Sequence, residues 1–180
     1  INSGEAGIGI GNNDGNIATN AILFRNSNGN VGSIQTSGSG TTFNTSSDYR
    51  LKDNINYTFD ATTQVKQLKP CEFNFKADVD TKLTGFLAHE AQAVVSEAVT
   101  GTKDETKDVG TVKDADGNVL QENVLESAKG DNQTWEKTGT ENVYQGIDQS
   151  KLVPLLTKAL QEQQALIESL TTRIKTLEDA

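Results

Sequence analysis

Few side chains in this sequence are suited to chemistry. His89 is the only histidine and stands beside Glu90, which makes it the first candidate for a general base. Cys71 is the only cysteine, and one thiol can neither close an internal disulfide nor build a cysteine cluster around a metal. Asp114-Ala115-Asp116-Gly117-Asn118 has part of the acidic spacing of a calcium loop but lacks the downstream Glu, so neither a metal nor a cofactor is expected. Ser47 and Lys52, taken alone, read as a turn cap and a solvated surface charge.

The elements that would carry these residues differ along the chain. Residues 1–46 hold nine of the 16 glycines, many Asn, Ser and Thr, and only three charges, Glu5, Asp14 and Arg25. Within them Ile22-Leu23-Phe24-Arg25 and Val31 to Thr36 are short strands across an Asn26-Ser27-Asn28-Gly29 turn. Such strands have too few apolar side chains for a core of their own and are expected to bury them against other copies, as in an intertwined β-fibre. Composition shifts near residue 46, and the chain beyond reads as mixed α/β. Cys71 to Lys76 alternates with period two after Pro70, as an edge strand would, Gly85 to Ala88 is a second apolar run, and His89 to Val99 has helical composition. From about 102 to 142 the chain is polar, with a hairpin signal at Asp114–Asn118, and reads as an extended arm or insertion.

The last segment is a helix with Pro154 in its first turn. Val153, Leu156, Leu160, Gln163, Ile167, Leu170, Ile174 and Leu177 step by three and four in alternation, the spacing of a coiled-coil core. The competing reading, an amphipathic helix packed on its own domain, does not need a seam kept to the chain end. Self-association is therefore expected, with Gln163 as a register or stoichiometry device.

Composition agrees with an oligomer. Only 34% of the 180 residues are apolar, little for a compact monomer of this length. Sixteen Lys and Arg against 25 Asp and Glu give a formal charge of −9, which argues against nucleic acid or an anionic membrane as partner. No stretch approaches the roughly 18 apolar residues of a spanning helix, so no membrane insertion is expected. A chain that starts at Ile1 and never uses Met is expected to be the end of a longer protein.

Three blocks together resemble one family. Ser47-Asp48-Tyr49-Arg50-Leu51-Lys52-Asp53-Asn54-Ile55 matches its hallmark, Ser-Asp-x-Arg-Leu-Lys-x-Asn-Ile. Gly85-Phe86-Leu87-Ala88-His89-Glu90-Ala91-Gln92 and Val143-Tyr144-Gln145-Gly146-Ile147-Asp148 follow in the family's order. The chain thus resembles the C-terminal intramolecular chaperone domain of phage tail spikes and tail fibres, the self-cleaving S74 peptidases.

The resemblance implies an α+β homotrimer: residues 1–46 as the end of a β-structured, triple β-helical fibre stem, 47–145 as chaperone and autoprotease, and 146–180 as the coiled-coil helix. It implies a single-turnover serine endopeptidase in which Ser47 is the nucleophile and Lys52 the general base, cutting between Ser46 and Ser47. The upstream stem would be the folding client, clasped by the arm at 102–142. The stem would stay in the virion tail fibre, while the chaperone part, made in the host cytoplasm, would be released; any receptor contact would lie upstream. The alternative is a trimeric structural or receptor-binding tip that is never cut.

Physics sets conditions on that pair. Five positions along a helix turn the chain by about 500°, and along a strand they lead to opposite faces, so the segment must bend or the pair must form between chains. A lysine, with a reference pKa of about 10.4, becomes a base near neutral pH only through burial or another cation. His89 is the rival base, but adjacent His89 and Glu90 are poorly placed to line up behind Ser47, and the family often has Gln at that position. Both are kept as supporting residues.

Overall fold

The computed structural model describes residues 19–180. The chain divides into two compact units, residues 1–57 and 58–180, each described here by itself. Residues 1–18 of the expected stem lie outside the described residues.

In the first unit β1 (Thr19–Asn26), β2 (Gly29–Ser37) and β3 (Gly40–Thr45) form an antiparallel sheet in that order. The two expected strands are present, joined by the expected turn. The third was not legible because Gly40–Thr45 carries one large apolar residue, Phe43. Register aligns Ile22, Ile34 and Phe43 in one cross-strand row, and strand neighbours i and i+2 share a face, so Phe24 joins them. Phe24 and Phe43 stay 50% and 78% exposed, and among the described residues of this unit no second layer covers the apolar face of the sheet.

The second unit is α+β. Asp60 caps α1 (Ala61–Val65) by accepting from the Thr63 amide at 3.0 Å. β4 (Cys71–Phe75) pairs with β5 (Asp78–Gly85), and Phe73 meets Phe75 edge to face at 5.4 Å. The helix expected over His89–Val99 is shorter. α2 spans Ala88–Gln92, and Val95, at φ −133° and ψ 80°, leaves the helical region. That break turns Val95, Ala98 and Val99 inward, and Val99 enters β6 (Val99–Thr100), which pairs with β10 (Gly146–Ile147). Packing overrides helical composition here. Ala61, Ala91, Val95, Ala98, Val99, Leu152, Leu155 and Ala159 form the core.

The polar stretch, expected as an extended arm or insertion, holds a three-stranded sheet. β7 (Thr106–Lys113) lies between β8 (Val119–Val124) and β9 (Thr134–Asn142), with the expected turn at Asp114–Asn118. Val109 and Val112 are buried, and the Trp135 indole donates to the Val124 carbonyl at 3.1 Å. Gly110 is required there, since a Cβ would stand 2.3 Å from the Glu136 carbonyl oxygen and 2.4 Å from the Trp135 ring. Lys113 pairs with Glu136 at 2.6 Å and Lys137 with Asp108 at 2.7 Å. This sheet is inserted between paired β6 and β10. Its base is closed by the Val143 amide on the Glu105 carbonyl at 2.8 Å and by Gln92 and Gln145, which both donate to Gly101.

The final helix, α3 (Leu152–Glu178), has two faces. Leu152, Leu155 and Ala159 are buried in the domain, and Glu162 closes that face by accepting from the Ala61 and Thr62 amides and the Thr62 hydroxyl at 3.3, 2.8 and 2.7 Å. Val153, Leu156, Leu160, Gln163, Ile167, Leu170, Ile174 and Leu177 are all exposed. From Gln163 to Ala180 no residue is buried. The expected seam is therefore separate from the face the domain uses. None of the helices is long and apolar enough to cross a membrane among the described residues.

Candidate active site

The candidate site begins where β3 ends. Asp48, at φ −63° and ψ 136°, caps a 3-10 turn over Tyr49–Leu51, its Oδ1 accepting from the Arg50 amide at 2.9 Å. The same carboxylate takes the Arg50 side chain, with Nε on Oδ1 and Nη2 on Oδ2, both at 2.9 Å. Arg50 holds the Asp48 carboxyl below the usual carboxylate range. The turn is closed by the Leu51 amide on the Asp48 carbonyl and the Lys52 amide on the Tyr49 carbonyl, both at 3.1 Å. At Lys52 the backbone is extended again, with φ −121° and ψ 139°.

An extended residue, one tight turn and another extended residue make the bend that five-residue spacing requires. The Lys52 ammonium donates to the Ser47 hydroxyl, Nζ to Oγ 2.7 Å, within one chain. Both side chains are exposed. Asp48 is engaged by Arg50, and Asp53 accepts from the Asn54 amide at 2.8 Å. Along the same segment, Tyr49, Leu51, Ile55 and Tyr57 are between 56% and 78% exposed, four large apolar side chains in nine residues.

On the other side of the Ser46–Ser47 bond, Ser46 extends the sheet. Its amide donates to the Val31 carbonyl at 3.1 Å and its hydroxyl to the Asn30 carbonyl at 3.0 Å. Sequence reasoning missed these bonds, because serine in a polar run gives no sign of what its hydroxyl will meet.

The supporting residues belong to the second unit, apart from the one that holds Ser47 and Lys52. Glu90 accepts from Lys69 at 3.1 Å, and His89 lines an open cleft with Lys103, Asp104 and Tyr144. The Asp114 carboxylate is taken up within its own turn, accepting from the Asp116 and Asn118 amides and the Asn118 side chain.

Comparison with known families matches residues 47–100 to Peptidase_S74, chaperone of endosialidase. The matched segment is similar to the S74 chaperones and covers less than a third of the chain. The S74 match starts at Ser47 and takes in the Asp48–Arg50 clamp, Lys52 and the Gly85–Gln92 block. The Val143–Asp148 block and α3 lie beyond it. Comparison with curated proteins gives no match. Within the matched segment, Asp48 and Arg50 hold the turn that brings Ser47 and Lys52 together.

Proposed function

We propose that the chain is an intramolecular chaperone that trimerises and folds a phage tail fibre or spike stem, then cuts itself free between Ser46 and Ser47. The observation that carries this reading is the 2.7 Å contact of Lys52 with Ser47, set by a turn inside the S74 segment. In this reading a neutral Lys52 amine takes the proton from Ser47 Oγ as that oxygen attacks the Ser46 carbonyl carbon. The proton passes to the departing Ser47 nitrogen, the C–N bond breaks, and residues 1–46 are left as an ester on Oγ. Water then hydrolyses the ester to the Ser46 carboxylate and restores the Ser47 hydroxyl. The enzyme turns over once.

An ammonium that donates to Ser47 must lose a proton before it can accept one, and only burial or a second cation drives that loss. The exposed Tyr49, Leu51, Ile55 and Tyr57 supply apolar surface for the purpose once copies assemble, and the uncovered α3 seam supplies the assembly. Cleavage then follows oligomerisation. The inserted sheet, residues 102–142, would bind the stem.

The deciding experiment is the mass of the expressed chain. Wild type yields residues 1–46 and 47–180, while Ser47→Ala and Lys52→Ala stay whole. Folded, assembled wild-type chains that remain intact would overturn the reading and favour an uncut fibre tip. Loss of cleavage in His89→Gln together with full cleavage in Lys52→Ala would move the base to His89.

A further inference from the structure

Resting on that reading, we propose that Ser46 is a positioning residue through which the β2–β3 hairpin controls the cut. Ser46 supplies the carbonyl that Ser47 would attack, and it is anchored twice to the first residues of β2. Its amide is bonded to Val31, the neighbour expected if the β3 register ran one residue past the Thr45–Gly32 pair. Its hydroxyl reaches one residue further back, to Asn30. The two anchors act on either side of the Ser46 Cα, a single bond from the reacting carbon. They fix the Ser46 Cα on β2, so that the Cα–C bond is the one rotation left between the anchored frame and the carbonyl.

Both acceptors belong to β2, whereas Ser47 and Lys52 are set by the Asp48–Arg50 turn. Electrophile and nucleophile are thus held by different pieces of backbone. They reach attacking geometry together only after β3 has zipped onto β2 as far as Ser46. Without the hairpin the Asp48 turn can still form, because its bonds are local, but the carbonyl swings freely and the effective concentration of the reacting pair falls. The stem end of the chain therefore licenses its own release, and Ser46 is the residue that carries the signal.

The test is the rate of cleavage of the full chain after cell-free synthesis, at one fixed chain concentration, followed against pH. Ser46→Ala removes the hydroxyl anchor and is expected to slow the cut about tenfold. The plateau of the pH profile should fall while its inflection stays in place. Ser46→Thr keeps a hydroxyl and is expected to restore the rate. Gly38→Val strains the β2–β3 turn, where φ is +54°, and should slow cleavage at a distance from the reacting atoms. Wild-type rates in Ser46→Ala or Gly38→Val would overturn the inference while leaving self-cleavage standing, as would a Ser46→Thr chain no faster than Ser46→Ala. An intact wild-type chain would overturn self-cleavage and this inference with it.

Discussion

Asp48 and Arg50 form a two-pronged clamp, each prong 2.9 Å long, across a turn of three residues. Bidentate pairing of this kind fixes direction as well as distance. Its service to the site is indirect, since neither residue is the proposed nucleophile or base. The clamp spans the turn that leads into Lys52, and releasing it loosens that turn.

Asp48→Ala loses both the cap and the clamp, while Arg50→Ala loses the clamp alone. We expect cleavage slowed roughly a hundredfold in the first and roughly tenfold in the second, in line with the worth of a cap and a charge-assisted bond. Arg50→Lys should behave like Arg50→Ala, because an ammonium lacks the fork. A time course on denaturing gels checks the order.

Acid should weaken the second unit in a defined window. Asp60, Asp148 and Glu162 are all held below their ordinary values of 3.8 and 4.5, by Thr63, Ser150 and Thr62 respectively. Their folded-state pKa values lie below the unfolded ones, so their contribution is complete above the unfolded values. It drains away as pH falls through the folded ones. Denaturant midpoints of the uncut Ser47→Ala chain should thus hold steady from pH 7 to about 5 and drop below about 4. Glu162→Gln should lower the neutral midpoint and flatten the drop; an unchanged acid limb would remove Glu162 from the account.

The α3 seam should decide the oligomeric state. Leu160→Asp or Ile167→Asp places a charge on a position of the proposed coiled-coil core and is expected to convert the proposed trimer to monomers by light scattering. Because both residues are exposed within the single chain, the monomers should keep their circular dichroism. Their cleavage should fall at least tenfold if assembly is what buries Lys52.

The inserted sheet should be separable. Its two ends meet where Gly146 pairs with Thr100 and Gln145 bonds to Gly101, so a short linker in place of residues 102–142 leaves β6 and β10 in register. We expect the shortened domain to unfold at a midpoint near wild type while the yield of protease-resistant residues 1–46 falls. Full yield would end the proposed contact with the stem.

Periodic and punctuated features were legible in the sequence. The α3 pattern, the strand at Cys71 and the Asp114–Asn118 turn each follow from local rules that packing did not contradict. Where packing set the outcome, sequence misled, as at Val95, whose turn toward the core ends a helix that composition extends to Val99. The order within residues 102–142 was also hidden, because it rests on two valines, one tryptophan and a glycine scattered among charges. Ser47 and Lys52 were nameable only through resemblance. Their meeting depends on a bend, and nothing in their spacing alone shows a bend.

The two faces of α3 share no residue, and that separation has a kinetic meaning. Each copy can complete its own core on Leu152, Leu155 and Ala159, and lock it with Glu162, before it meets another. In the proposed assembly, association would join finished chains and undo nothing inside them. In that scheme maturation is a first-order folding step followed by encounters whose frequency rises with concentration, so halving the concentration of newly made chain should delay the appearance of cut product without changing its final amount.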